Sequence, residues 1–159
     1  MPNDIALDAI DRTILRDLQD DGRMTNVELA RRAGLTAPPC LRRVRALEEA
    51  GVIEGYHAKL NSGALGYGIT VFALVSLRSQ AEDDLRLFEQ HVAELAEVRE
   101  CHMLNGEIDF ILKIVAHDLQ GFQQFLTSKL TTAPNVASVK TSLTIRTSKD
   151  VPGIPVDAA

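Results

Sequence analysis

Between Leu7 and Gly51 the apolar residues recur with a helical period. Ile10, Ile14 and Leu18 stand at i, i+4 and i+8, behind Asp8 as an N-cap, and Asp20-Asp21-Gly22 stops the run. Thr25-x-x-Glu28 has capping-box spacing and predicts a short second helix carrying Val27, Leu29, Ala30 and Ala33, ended by Gly34. Thr36 is expected to cap a third helix that tolerates Pro38 and Pro39 in its first turn and runs to about Ala50, with Gly51 as its left-handed stop. Two helices meeting across Gly34-Leu35, with another packed on them, make a tri-helical helix-turn-helix.

After Ile53 the period shortens. Tyr56, Ala58 and Leu60 alternate with His57 and Lys59 as a strand leaving the helical unit, and Asn61-Ser62-Gly63, Gly66 and Gly68 punctuate a linker. The order beyond is strand 69–77, helix 82–95, strand 98–104, strand 108–116, helix 119–130 and strand 136–147, the βαββαβ sequence of a ferredoxin-like domain. Ser79-x-x-Glu82 is a further capping-box candidate. Leu85, Phe88, Val92 and Leu95 line one helix, and Leu119, Phe122, Leu126 and Leu130 the other. The predicted class is α+β: helix-turn-helix domain 1–54, hinge strand and linker 55–68, ferredoxin-like domain 69–159. Runs such as Val71-Phe72-Ala73-Leu74-Val75 and Phe110-Ile111-Leu112 are apolar on both faces, although a two-layer domain covers only one. A second subunit is expected on the other face.

The composition refines this picture. The chain has 159 residues, 45% of them hydrophobic and 25% charged, so a packed core is expected. Met1-Pro2-Asn3-Asp4 does not open a signal peptide, no apolar run approaches a membrane span, and two widely spaced cysteines suit a reducing cytoplasm. The net charge of −5 argues against nucleic acid, but it is unevenly spread. From Gly22 to Ala46 six arginines stand against one glutamate, a local balance of +5.

With Val44 at the centre of the buried face of the third helix, a turn of ~100° per residue brings Cys40, Leu41 and Leu47 beside it and sends Arg42 to the far side. Pro38, Pro39 and Ala46 share that outer side, and Arg43 and Arg45 flank it. Arginine pairs with guanine edges or clamps phosphates, and helix N-termini attract phosphate, which adds Thr25, Thr36 and Ala37 to the candidate DNA contacts. A solvated arginine-rich face is the plainer alternative. Arg42 is expected to read bases, and Arg43 and Arg45 to hold phosphates.

Leu7-Asp8-x-x-Asp11-x-x-Ile14-Leu15, Asp21-Gly22-Arg23-x-Thr25-x-x-Glu28-Leu29-Ala30 and Leu41-Arg42-Arg43-Val44-x-x-Leu47-Glu48-x-x-Gly51-Val52-Ile53-x-Gly55-Tyr56 resemble the Lrp/AsnC family of feast/famine regulators. The resemblance continues through Glu100-Cys101-His102-x-x-x-Gly106-x-x-Asp109-Phe110 and covers nearly the whole chain. It implies a winged or tri-helical DNA-binding domain, a hinge strand and an amino-acid-sensing ferredoxin-like domain. It also implies dimers that assemble into tetramers, octamers or larger rings. Two-fold dimers suit a palindromic promoter site, and the expected location is the cytoplasm, in association with the nucleoid.

Gly106 is expected to take a positive φ at the turn between the second and third strands. Asp109 could accept loop amides or receive the ammonium of an amino acid, and its residue type leaves both open. The resemblance favours an effector around this turn at dimer–dimer contacts. Met103, Leu104 and Asn105 lead into it, Thr131, Thr132, Thr141 and Ser142 are candidate hydroxyl partners, and an aliphatic effector suits Met103 and Leu104. No cofactor and no metal are expected: Cys101 and His102 are strand neighbours facing opposite ways, and no nucleophile triad, paired-carboxylate or phosphate-loop pattern is present. An enzyme is therefore disfavoured. An architectural DNA-packaging protein without an effector stays open.

Overall fold

The computed structural model describes residues 6–156; Met1–Asp4 and the outermost ends of the two predicted domains lie outside the described residues. The chain forms two compact units: residues up to Lys59 together with those from Lys149 onward, and Leu60–Ser148. The segment from Lys149, assigned by sequence to the second domain, groups with the first unit by its contacts.

In the first unit α1 spans Ala9–Asp20, α2 Asn26–Arg32 and α3 Ala37–Glu49. Asp8 caps α1 through a complete reciprocal box with Asp11. Both later helices stop at a left-handed glycine, Gly34 (φ 69°) and Gly51 (φ 72°), with the paired bonds of a Schellman end: Leu35 N to Ala30 O (2.8 Å) and Val52 N to Leu47 O (2.9 Å). Ile14, Leu29, Ala30, Cys40, Val44 and Leu47 close the core. Val27, on the same helix as Leu29, is 71% exposed. The box at α2 is half made: Thr25 accepts the Glu28 amide (3.3 Å), but the Glu28 carboxylate turns to Arg31 and Arg32.

Residues 54–60 are exposed and make no ladder, so the expected hinge strand is absent from the single chain. Extended backbone becomes a strand only opposite a partner. The segment starts from a fixed point, because the Tyr56 hydroxyl donates to Glu48 (2.9 Å). Partial shielding of the hydroxyl against the helix, with the neighbouring Glu48 carboxylate, pushes this phenol up to about 12.

The second unit holds β1 (Ile69–Leu77), α4 (Glu82–Ala93), β2 (Val98–Met103), β3 (Phe110–Ala116), α5 (Leu119–Phe125) and β4 (Val136–Leu143). The sheet order is β2-β3-β1-β4 and every pairing is antiparallel, which is the ferredoxin-like arrangement. Val71, Ala73 and Val75 of β1 pair with Ile114, Leu112 and Phe110 of β3, all buried beneath Phe88, Val92, Phe122 and Phe125 of the helices. In α5 the sequence placed Leu119 in the core, yet it is 61% exposed and Phe125 is buried. The helix widens after Phe125 into a π turn, Leu126–Leu130, where the Thr127, Ser128 and Thr131 hydroxyls donate to carbonyls of the preceding turn.

The Ser79 capping box does not form: Ser79 accepts the Ala81 amide and α4 is entered from Ala81. Asn135 supplies the reason. Its side-chain oxygen accepts the Ser79 amide (3.1 Å) and its amide group donates to the Ser79 carbonyl (2.7 Å), so Ser79 is held in the loop. Asn135 does this at φ 65°, in the left-handed region. Asn135→Ala should destabilise the unit by about 2–3 kcal/mol, from two hydrogen bonds at ~1 each and a left-handed residue at ~1. Urea denaturation of Asn135→Gly should recover the backbone part and leave the hydrogen-bond part lost.

Candidate functional site

Amphipathicity decides how α3 sits. Cys40, Val44 and Leu47 are buried, so Pro38, Arg42, Arg45 and Glu49, at i, i+4, i+7 and i+11, form one exposed stripe. Glu49 closes it with an acid, confining a positive surface to the first three turns of the helix. Asn26 of α2 donates to the Ala37 carbonyl (2.8 Å), linking the start of α2 to the start of α3.

The six arginines of the basic stretch separate into two sets. Glu28 takes Arg31 (2.6 Å) and Arg32 (2.8 Å), and these hydrogen bonds hold its carboxyl down at about 2. Arg43 reaches across to Asp8 (2.8 Å) and Asp11 (2.7 Å) at the start of α1. Among the described residues Arg23, Arg42 and Arg45 carry no ion pair. The phosphate role expected of Arg43 competes with an internal one, since its guanidinium is already matched by two carboxylates of its own unit. The surplus of the stretch rests on three side chains.

The N-terminus of α3 also differs from expectation. Thr36 stands at the N-cap, but its hydroxyl makes no cap bond. A cap oxygen accepts from the second or third helical amide, and here those residues are Pro38 and Pro39, which have no N–H. The same two prolines remove half of the free amides that would attract a phosphate. Thr36 is exposed with an uncommitted hydroxyl, Pro38 is exposed, Ala37 and Pro39 are half-buried, and Thr25 is exposed but committed as the α2 cap.

In the second unit the turn after β2 is open. Met103 is 61% and Leu104 40% exposed, Asn105 and Gly106 are exposed, and the Leu104 amide donates to the Asp109 carbonyl (2.8 Å). Gly106 does not have the positive φ expected of it. Asp109 is buried with both oxygens taken: one accepts the Leu77 amide (2.6 Å), the other the Gln80 side-chain amide (2.8 Å). Of the two roles left open, the structure contains the first, acceptance of loop donors. Gln80 and Asn135 went unnoticed in the sequence; a lone amide residue beside a predicted helix start gives little signal.

Among the described residues no hydrogen bond joins the remaining effector candidates to this turn within one chain. Thr131 and Thr132 follow the π turn, their hydroxyls donating to Leu126 and Ser128 carbonyls. Thr141 and Ser142 lie on β4, the edge opposite β2. Three inter-strand steps of about 4.8 Å put roughly 14 Å between those edges. The outer sheet face carries Phe72, Leu74, Ile111 and Val115, with Glu100 between Lys113 (2.7 Å) and His102 (3.4 Å) beside them. Cys101 faces the helix side, next to Glu89 and Val92, where burial pushes its thiol up to about 11. Among the described residues no three His, Cys, Asp or Glu side chains converge as a metal site, and no helix is long and apolar enough to cross a membrane.

Residues 7–54 match the family model of a winged helix-turn-helix DNA-binding domain, and residues 70–154 match that of the Lrp/AsnC ligand binding domain. The chain belongs to the Lrp/AsnC family. It is 56% identical over 146 residues to the leucine-responsive regulatory protein of Rhizobium meliloti, covering 92% of this chain and 94% of the relative. The Bkd operon transcriptional regulator of Pseudomonas aeruginosa is 42% identical, with coverage of 88% and 92%. A Neisseria meningitidis transcriptional regulator, solved in complex with L-Met, superposes with a TM-score of 0.91 at 35% identity, covering 96% of this chain and 98% of that one. An AsnC family regulator from Agrobacterium tumefaciens gives 0.88 at 30% identity, with coverage of 94% and 97%. This Lrp/AsnC chain is accordingly a transcription regulator and not an enzyme, joining a DNA-binding unit to a ligand-binding unit of α+β fold.

The division of the arginines can be tested by folding alone. Arg43→Ala should lower the urea midpoint of the first unit, whereas Arg42→Ala should leave it unchanged. The Asp8 carboxyl lies below its ordinary 3.8, through the Asp11 amide first and Arg43 second. A depressed carboxylate contributes stability above its ordinary value and loses it as pH falls through the depressed one. The gap between parent and Arg43→Ala should therefore close in acid below 3.8.

Proposed function

We propose that this regulator reads palindromic promoter DNA as a homodimer, or as a tetramer or octamer of such dimers, with a small aliphatic amino acid as its effector. The observation carrying the reading is the unpaired stripe of Pro38, Arg42 and Arg45 on a helix whose other arginine, Arg43, is spent internally. Arg42 reads base edges in the major groove; Arg45, with Thr36 and Arg23, holds phosphates. A protein with this task works on the nucleoid, in the cytoplasm. Arg42→Ala should cost about 1–3 kcal/mol of promoter binding and relax sequence preference. Arg45→Ala should weaken all sequences alike and reduce the slope of log K against log salt by about 0.9. Fluorescence anisotropy on promoter and scrambled duplexes over a salt series separates the two, and an unchanged promoter affinity in the double variant would refute the assignment.

The second subunit has a place to dock. Phe72, Leu74, Ile111 and Val115 form an apolar centre on a sheet face with no helix of its own above it. A two-fold dimer through this face matches a palindromic site with half-sites about one helical turn apart. Sedimentation of the full chain at micromolar concentration should give at least a dimer, and Phe72→Glu should dissociate it while the sheet stays folded. A monomeric parent would end this reading.

The effector is proposed at the Met103, Leu104, Asn105 and Gly106 turn, with Thr131, Thr132, Thr141 and Ser142 coming from a neighbouring subunit. The open turn and the opposite edges in one chain favour a site shared between copies. The relatives named as leucine-responsive and the L-Met complex support an aliphatic amino acid. Asp109, its oxygens already engaged, sets the turn and leaves the ammonium group to exposed carbonyls. Calorimetry against leucine and methionine, with the oligomeric state followed in parallel, tests this proposal.

A further inference from the structure

The DNA-binding unit is built from two stretches of chain, and the second arrives only after the ligand unit is complete. Residues 149–156 group with the helices without forming any regular element. Their grip is specific. The Gln19 side chain, in the last turn of α1, donates through Nε2 to the Ile154 carbonyl (2.7 Å) and accepts the Ile154 amide on Oε1 (3.1 Å). One side-chain amide thus answers both backbone groups of one residue, as a neighbouring strand would. Lys59, the last residue of the unit's first stretch, pairs with Asp150 (2.8 Å).

The segment is shaped for this contact. In Val151-Pro152-Gly153-Ile154-Pro155 two prolines restrict the free segment, while the glycine between them admits the φ of 72° that the docked form requires. Gly153 lies so close to Gln19 that an added Cβ would strike that side chain. The Ile154 side chain is 71% exposed, and Pro152 and Pro155 are exposed too. The attachment is therefore polar, solvent-washed and releasable, unlike the apolar core beside it.

We infer that residues 149–155 act as a releasable strap that steadies α1, and through it the reading helix. The path is short. Gln19 lies near one end of α1, while Asp8 and Asp11 at the other end hold Arg43 of α3, and Ile14 between them belongs to the core. Loosening the far end of a 12-residue rod relaxes the platform on which Arg42 and Arg45 are aimed. The strap follows directly from the ligand unit's last strand in the chain, so any change that pulls on residues 144–148 bears on this contact first.

Gln19→Ala removes both bonds and touches no arginine. Gly153→Ala attacks the same contact from the tail and leaves the helices' sequence intact, so it serves if the first variant folds poorly. Hydrogen exchange at the Ile154 amide in the full chain should accelerate at least tenfold in both variants. Promoter Kd should weaken three- to tenfold, and α1 amides should exchange faster, while β1 and β3 amides keep the parent's rates. Parent-like exchange at Ile154, or a freed tail with unchanged promoter affinity, would overturn the strap. The affinity arm rests on the DNA-binding reading: a parent that bound no promoter DNA would refute that reading, while the exchange arm would still decide the strap.

Discussion

A buried carboxylate must be matched by donors, and in the ligand unit that requirement falls on Asp109. Its two oxygens take the Leu77 amide at the end of β1 and the Gln80 side chain in the loop beyond. The start of β3 is thereby fixed against the end of β1, and the turn before it has one place to be. Asn135 grips the same loop from the start of β4 through both backbone groups of Ser79. One end of the sheet is thus held by two polar side chains, each unpaired at a cost of about 1–3 kcal/mol if its partners were removed. Around that rigid end the candidate effector turn can stay open to solvent without losing its register.

The DNA-binding unit meets a different constraint, an excess of like charge in a small volume. Six arginines within 25 residues repel one another unless acids are interleaved in space. Glu28 neutralises the α2 pair, and Asp8 and Asp11 draw Arg43 toward α1. These carboxylates relieve the repulsion and also decide which arginines are left to work outside the unit. The Arg43 bridge further ties the first helix to the third by charge, over a core of six buried residues.

The apolar period carried most of the architecture. Helix ends marked by glycine, the βαββαβ order and the two-sided strands all follow from local rules of packing and backbone freedom. What the sequence concealed was allocation. Whether Thr36 caps its helix depends on which amides Pro38 and Pro39 delete, and that was readable in retrospect from spacing alone. Whether Arg43 faces solvent or Asp11 depends on a contact 32 residues away. Ser79 looked like a cap because its offset to Glu82 was right; Asn135, 56 residues on, claimed it first. The candidate effector residues were dispersed for a similar reason: strand order, invisible to periodicity, puts β2 and β4 on opposite edges.

The two prolines at the start of α3 have a further consequence, one of competition. Amides at a helix start grip any phosphate and so add equally to binding at every position on a chromosome. Deleting two of them, in a chain of net charge −5, lowers that indiscriminate share. A regulator searching among ~10⁶–10⁹ competing sites depends on the ratio of chosen to random binding, and it also loses search time in proportion to the strength of the random binding itself. Prolines that subtract from both terms equally in energy leave the ratio at each site intact while shortening the time lost on every wrong one.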